Sequence, residues 1–282
     1  MLSAPATFLI FLMILGPAGA VVVICMSDWE FGSSTFSFVG TENFRALLDD
    51  RVFWKSLTNT LIYVAVVVLV SVVLGLVAAV MIESCTFFRS FYRAVYFLPV
   101  MATMAAIAVA WQMVLHPQIG LLNQGIRAIG MDFTMSWLQN EKTVLATLCV
   151  IGIWQAVGFN MILFLAGLTS IPNDLYEAAE VDGADSAWDR FNTVTWPLLG
   201  PTSIFVLVIT AIRAFQVFDT VAVLTRGGPN KASEVMLYTI YNEAFVFFRT
   251  GHAATLTIVY LAIILTLTLV QVWFLDKRVH YT

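Results

Sequence analysis

Six stretches of this chain run for more than twenty residues with scarcely a formal charge: Pro5 to Ser27, Thr58 to Ile82, Ala94 to Leu115, Thr143 to Thr169, Leu199 to Val221 and Ala253 to Leu275. About 20 mostly apolar residues in a helix cross the hydrocarbon core of a bilayer, so each stretch is long enough to span. Only the fifth holds a charge well inside it. The apolar share of 60% exceeds the roughly 45 to 50% of soluble domains. The chain therefore reads as an integral membrane protein, and backbone polarity leaves a helical bundle as the architecture for spans of this length. The first stretch has the outline of a signal peptide ending at Ala18-Gly19-Ala20, but no basic residue precedes it and the next span comes soon after. It is expected to be a retained helix. No internal repeat or low-complexity tract divides the sequence, so residues 1–282 form one all-α polytopic domain with six transmembrane helices.

Charge excludes some functions outright. Lys and Arg total 14 against 18 Asp and Glu, a net charge of −4, which offers no basic stripe to nucleic acid. An even number of spans puts both termini on one side. Loop counts do not orient the bundle by the positive-inside rule: one side holds Arg89, Arg93, Arg190, Lys277 and Arg278, the other Arg45, Arg51, Lys55, Arg127, Lys142, Arg226, Lys231 and Arg249. The basic pair after the last span and an acidic loop between the fourth and fifth stretches set the direction, with that loop inside.

In this loop Asp174, Glu177, Glu180, Asp182, Asp185 and Asp189 face a single basic residue, Arg190, in a chain only 11% charged. Asp174 and Glu177 stand at capping-box spacing after Pro172, Gly183 is a helix stop, and Leu175, Ala178 and Ala179 share a helix face. A short acidic helix is expected there. Small alanines let another surface approach, and carboxylates reach for arginine or lysine. The bland reading is a solvated loop helix with no partner; an anionic lipid surface would repel it.

The run Ile171-Pro172, Leu175-Tyr176-Glu177-Ala178-Ala179, Asp182-Gly183-Ala184, Arg190-Phe191 and Pro197-Leu198-Leu199 resembles the EAA loop of permease subunits in binding-protein-dependent ABC importers. Phe38-Val39-Gly40 with Asn43-Phe44, Leu98-Pro99, Trp111, Pro117, Phe215-Gln216-Val217-Phe218-Asp219 and Gly227-Gly228-Pro229 resemble its carbohydrate branch, in particular the maltose-type or glycerol-phosphate-type first permease. The resemblance covers almost the whole chain. It departs in one place: ten residues, where the pattern has nine, separate Gly183 from the closing tetrad, here Val194-Thr195-Trp196-Pro197. One extra residue inside a helix rotates the remainder of that helix by about 100°, so the loop between the two short helices is expected to absorb it.

The resemblance implies that residues 170–200 form a cytoplasmic coupling loop in which Glu177, Ala178, Ala179, Asp182 and Gly183 receive the motion of a separate ATPase. It implies a bacterial inner membrane location and a second permease completing a heterodimeric pore. It also implies two ATPase subunits, which bind the ATP and Mg, an extracytoplasmic solute-binding protein, and a sugar or sugar derivative as substrate. No cofactor is implied on this chain. The sequence agrees in lacking a G-x-x-x-x-G-K-[ST] phosphate loop.

Substrate contacts are sought among polar residues in the spans. Arg213 lies deep in the fifth, where an arginine costs roughly 2.5 to 3.5 kcal/mol on insertion scales; Gln216 stands at i+3, and Asp219, six residues on, falls on the wrong face for a direct pair in a straight helix. A guanidinium suits carboxylate, phosphate or sulfonate, so an anionic sugar is one reading and a structural pair with the companion permease the other. Asn59, Gln112, Gln155 and Asn160 supply amides near Trp111, Trp154, Phe159 and Phe215. Such amides bind sugars, and they also bridge helices at about 0.6 kcal/mol each. No catalytic constellation appears. His116, His252 and His280 are scattered, Cys25, Cys85 and Cys149 lack paired spacing and read as small core residues, and Glu83 has no acid partner. A secondary carrier driven by an ion gradient is the alternative class, though the spans lack the deep carboxylates such carriers use; an assembly factor docking through the acidic helix is a third.

Overall fold

The computed structural model describes residues 4–85, 87–130 and 134–276; Lys277, Arg278 and His280 lie outside them. The described residues are helices and turns, apart from one isolated antiparallel bridge between Ser27 and Phe38. In chain order the helices are α1 (4–24, with a π-helical turn at Phe11–Leu15), α2 (Glu42–Asp49), α3 (Arg51–Ser84), α4 (Arg89–Met101), α5 (Met104–Val114), α6 (Leu121–Ala128), α7 (Val144–Thr169) and α8 (Asn173–Val181). Then come α9 (187–198, with a π-helical turn at Phe191–Thr195), α10 (Gly200–Phe215), α11 (236–246, π-helical over Asn242–Val246) and α12 (Thr250–Asp276).

Among the described residues four helices are long and apolar enough to cross a membrane, and six spans result if each of two bent pairs counts as one. Two of the six expected spans are therefore bent pairs rather than single continuous helices. The third span breaks at Ala102 and Thr103, both extended, so that α4 and α5 meet at 99°. Pro99 stands inside α4, three residues before the break; with no N–H to donate and its ring crowding the Val95 carbonyl, it loosens the turn ahead of it. The fifth span is not a continuous helix to Val221. Helix α10 ends at Phe215, whose carbonyl accepts from the Tyr260 hydroxyl at 2.5 Å, and chain 216–218 leaves the helix before a π-helical turn at Val221–Thr225. At its other end α10 bends 67° from α9.

Helix α3 is the mast and α7 packs along it. The approach is close because a side chain at Gly75 would meet Asn160 at 2.6 Å, and one at Gly158 would collide with the Tyr96 carbonyl of α4. Buried residues fall into two clusters. One, toward the α11 end, includes Phe53, Tyr63, Leu148, Phe215, Met236 and Leu256; the other, toward the α8 end, includes Ala79, Met161, Phe164, Leu168, Ala179 and Leu199. Helix α1 contributes nothing to either over Thr7–Ile24; Asn43 caps its end, donating to the Cys25 and Ser27 carbonyls at 3.0 and 2.8 Å. Cys25 and Cys149 are buried as expected of small core residues, whereas Cys85 is exposed.

Candidate functional site

Two places combine the singled-out residues, and they lie at different depths. The first is a cavity of about 370 Å³ between α3, α4, α7 and the broken fifth span, lined among others by Tyr63, Gln155, Phe159, Asn160, Arg213, Gln216 and Asp219. The helix break builds it. A straight helix would turn Asp219 away from Arg213, but departure of the backbone at 216–218 brings both residues onto one wall. The Arg213 guanidinium carbon sits 3.8 Å from the Phe159 ring centroid, a cation–π contact worth about 0.5 to 1 kcal/mol when exposed and more when dry. Arg213, Gln216 and Asp219 are exposed in this chain, so the cavity opens on a face rather than being sealed.

The polar residues separate by what their groups already do. Gln155 lines the cavity. Asn160 also lines it, yet is fully buried: it donates to Ser71 Oγ at 3.1 Å and its carbonyl accepts from Thr210 Oγ1 at 2.7 Å, bridging α7 to α3 and α10. Asn59 lies elsewhere; its amide donates to the carbonyls of Lys231 at 3.1 Å and Glu234 at 2.9 Å, fastening the loop after the fifth span. Gln112 donates to the Val223 carbonyl at 3.1 Å and faces a separate cavity with His116, Gln139 and Pro229. Tyr63, Thr210 and the break itself were invisible to a reading that sought charges and amides on straight rods. Glu83 is held by Arg89 and by Arg93, the latter at 3.8 Å.

The second place is the acidic loop. Helix α8 starts without a capping box: Pro172 is the N-cap and no side chain bonds there, Asp174 lying in the first turn where the helix dipole favours it. Gly183 has φ +96° and ends α8 as the left-handed residue, with Ala184 N–H donating to the Ala179 carbonyl at 2.9 Å, a Schellman closure. Ala179 is buried against the bundle, while Glu177, Ala178, Asp182 and Gly183 are exposed. Ser186 caps the next helix, its Oγ accepting from Asp189 N–H at 3.1 Å. Helix α9 carries a π-helical turn at Phe191–Thr195, the geometry by which a helix holds one more residue without losing its axis. Tyr176 and Thr195 share a hydroxyl–hydroxyl bond of 3.0 Å that locks α8 to that turn, and Arg190 lies 3.9 Å from Glu180.

Beyond α10 stands a folded cap, residues 226–249, at the opposite end from α8. Met236 N–H donates to Thr60 Oγ1 at 2.9 Å and Ser233 Oγ to the Gly228 carbonyl at 2.6 Å. Glu234 and Glu243 are both buried. Thr239 donates to Glu234 at 3.1 Å and Arg249 to Glu243 at 2.7 Å. Burial, reinforced by the neighbouring Glu243, pushes the Glu234 carboxyl above its ordinary range, against the pull of Lys231, Thr239 and Asn242.

Residues 71–281 match the family described as binding-protein-dependent transport system inner membrane component. Among curated relatives, the probable ABC transporter permease protein YurN of Bacillus subtilis is 36% identical over 270 residues, covering 95% of this chain and 91% of its own length. The sn-glycerol-3-phosphate transport system permease protein UgpA of Agrobacterium fabrum is 34% identical, covering 100% and 95%. Among solved structures, a chain of a bacterial ABC transporter involved in the import of the acidic polysaccharide alginate superposes with a TM-score of 0.85 at 23% identity, over 97% of this chain and 93% of that one. A second structure of the alginate transporter, with its periplasmic protein bound to an alginate pentasaccharide, gives 0.83 over 95% and 90%. These likenesses place the two broken spans and the acidic loop in one known architecture: the chain belongs to the binding-protein-dependent transport system inner membrane component family, and is an inner-membrane permease of the bacterial ABC transporter class.

Proposed function

We propose that this permease forms half of the import path for a carbohydrate carrying an anionic group, and that α8 couples the path to a separate ATPase. One observation carries the substrate reading: Arg213, braced on Phe159, borders the same cavity as Asp219, Gln155 and Gln216. A planar cation suits a phosphate, sulfonate or carboxylate, while the carboxylate and amides accept from and donate to hydroxyls. The name of the UgpA relative cites a phosphate ester, and the alginate title an acidic polysaccharide; both support an anionic cargo.

The chain works as a non-catalytic component. A second permease completes the pore on the open face of the cavity, and a solute-binding protein delivers the cargo. Two ATPase subunits hold ATP and Mg, and their closure moves the exposed face of α8. Gly183 and the Tyr176–Thr195 bond pass that motion to α10. Alternating access results as the breaks at 102–103 and 216–218 open toward one side and then the other.

The decisive experiment has two arms. The cognate solute-binding protein is screened against neutral sugars, polyols, phosphate esters and sulfonated sugars; binding confined to neutral sugars removes the anionic reading. Arg213→Gln in the whole complex should then lower uptake of the anionic cargo at least tenfold, since a charged hydrogen bond contributes about 1.5 to 3 kcal/mol, while membrane level and basal ATP hydrolysis hold. Unchanged uptake by that variant assigns Arg213 to structure.

A further inference from the structure

Helix α11 is gripped on one face and bare on the other. Met236, Thr239 and Glu243 are buried at 0%, 2% and 6% exposure. Tyr238, Tyr241 and Phe245, at i, i+3 and i+7, line up on a second face, and Tyr241 and Phe245 are exposed by 42% and 66%. Their rings form a series. Phe245 and Tyr241 centroids lie 5.5 Å apart, Tyr241 and Tyr238 stack at 6.5 Å with 21° between planes, and both tyrosines touch Phe218, at 5.2 and 6.1 Å. Phe218 is itself a wall of the Arg213 cavity. The rings therefore run unbroken from the outer cap into the cavity.

We infer that this stripe is an entry track for sugar rings, so that the cargo contains a pyranose rather than being an acyclic polyol ester. The inference rests on the import reading above and narrows it. A pyranose has an apolar C–H face that lies flat on the electron-rich face of an aromatic ring, and the two tyrosine hydroxyls reach its hydroxyls. Rings spaced every 5 to 7 Å hand such a face from one to the next. Rings that merely padded a core would be covered. Rings that merely anchored the cap in lipid would have no reason to continue into the cavity wall.

The test uses the complete complex in proteoliposomes, with Tyr241→Leu/Phe245→Leu beside Tyr241→Trp/Phe245→Trp. Probes are radiolabelled glucose 6-phosphate, galacturonate and maltose, with sn-glycerol 3-phosphate as the ringless control. Wild type should take up at least one ring-bearing probe. The leucine pair should lower that uptake about tenfold at limiting probe, the sum of two lost aromatic contacts, while the tryptophan pair stays within about threefold. Copurification of the second permease and stimulation of ATP hydrolysis by the binding protein should not change. Equal uptake by wild type and the leucine pair overturns the track alone. Uptake of only the ringless control overturns the track and leaves import standing. Uptake of none of the four removes the import reading and the track with it, and loss of the second permease from the leucine variant assigns the stripe to the subunit interface.

Discussion

The two ends of this molecule solve opposite problems. At the α8 end, a nine-residue helix stands out with Glu177, Ala178 and Asp182 exposed, tied back through Ala179, the Tyr176–Thr195 bond and one loose pair of charges. At the other end, the cap at 226–249 buries two glutamates and fastens its backbone to α3 through Asn59 and Thr60. On the coupling role proposed for α8, the surface offered to a moving partner is left bare and short. The cap is cross-linked by buried polar groups, each of which is costly to leave unpaired, and on the proposed import path it keeps its shape while cargo passes.

The largest effect should come from breaking the bare end. Gly183→Asp forces a side chain into a left-handed backbone with φ +96°, costing on the order of 1 to 2 kcal/mol, and Glu177→Lys reverses the charge offered to a partner. Both should abolish uptake while the chain still reaches the membrane, read by radiolabelled transport beside an immunoblot of membrane fractions; full uptake by both would remove the coupling role of α8.

Next comes the cap. Asn59→Leu strands the carbonyls of Lys231 and Glu234, each unmade buried bond costing about 1 to 3 kcal/mol. Cleavage in 226–249 by limited proteolysis should accelerate well before the α8 loop changes. Equal sensitivity at both ends would erase the contrast between them.

The smallest effect is a pH dependence confined to the cap. The Glu234 carboxyl is raised in the folded state, chiefly by burial, so folding favours its protonated form. The cap is therefore more stable below the ordinary glutamate range and loses stability as pH rises through the elevated folded value. Lys231, Glu243 and, through Glu243, Arg249 are the charges around it. Hydrogen exchange of 226–249 should slow between neutral and mildly acid pH beyond its intrinsic chemistry, and Glu234→Gln should flatten that difference. A slope unchanged in the variant points to another group.

What could be read from the chain was what is local. Apolar windows located the four unbroken spans and overlapped the two bent pairs, because bilayer thickness sets a length that sequence displays directly. The acidic helix and its glycine stop were legible because their causes lie within a dozen residues, whereas Ala179, expected beside Ala178 on the face offered to a partner, is buried against the bundle by residues distant in sequence. The break in the fifth span was not, since the carbonyl of Phe215 is captured by Tyr260, 45 residues on, and nothing near Gln216 announces it. Asn59 looked like a cargo ligand for the same reason: its acceptors lie 172 and 175 residues away. Pro99 marked an irregular helix in the third span without fixing the break at 102–103, and a capping serine at Ser186 stood in plain view with Asp189 three residues beyond.

Gly158 lets the Tyr96 carbonyl press against α7 with no room for a single added carbon. Helix α4 is thereby riveted and cannot slide along its neighbour without prying the two apart. Helix α5, on the far side of the 99° corner, is held instead by side chains: Gln112 on the Val223 carbonyl and Trp111 edge-on against Trp154 of α7. The corner between Val100 and Met104 is thus bracketed by a backbone contact that admits no slippage on one side and by side-chain contacts that can be exchanged on the other.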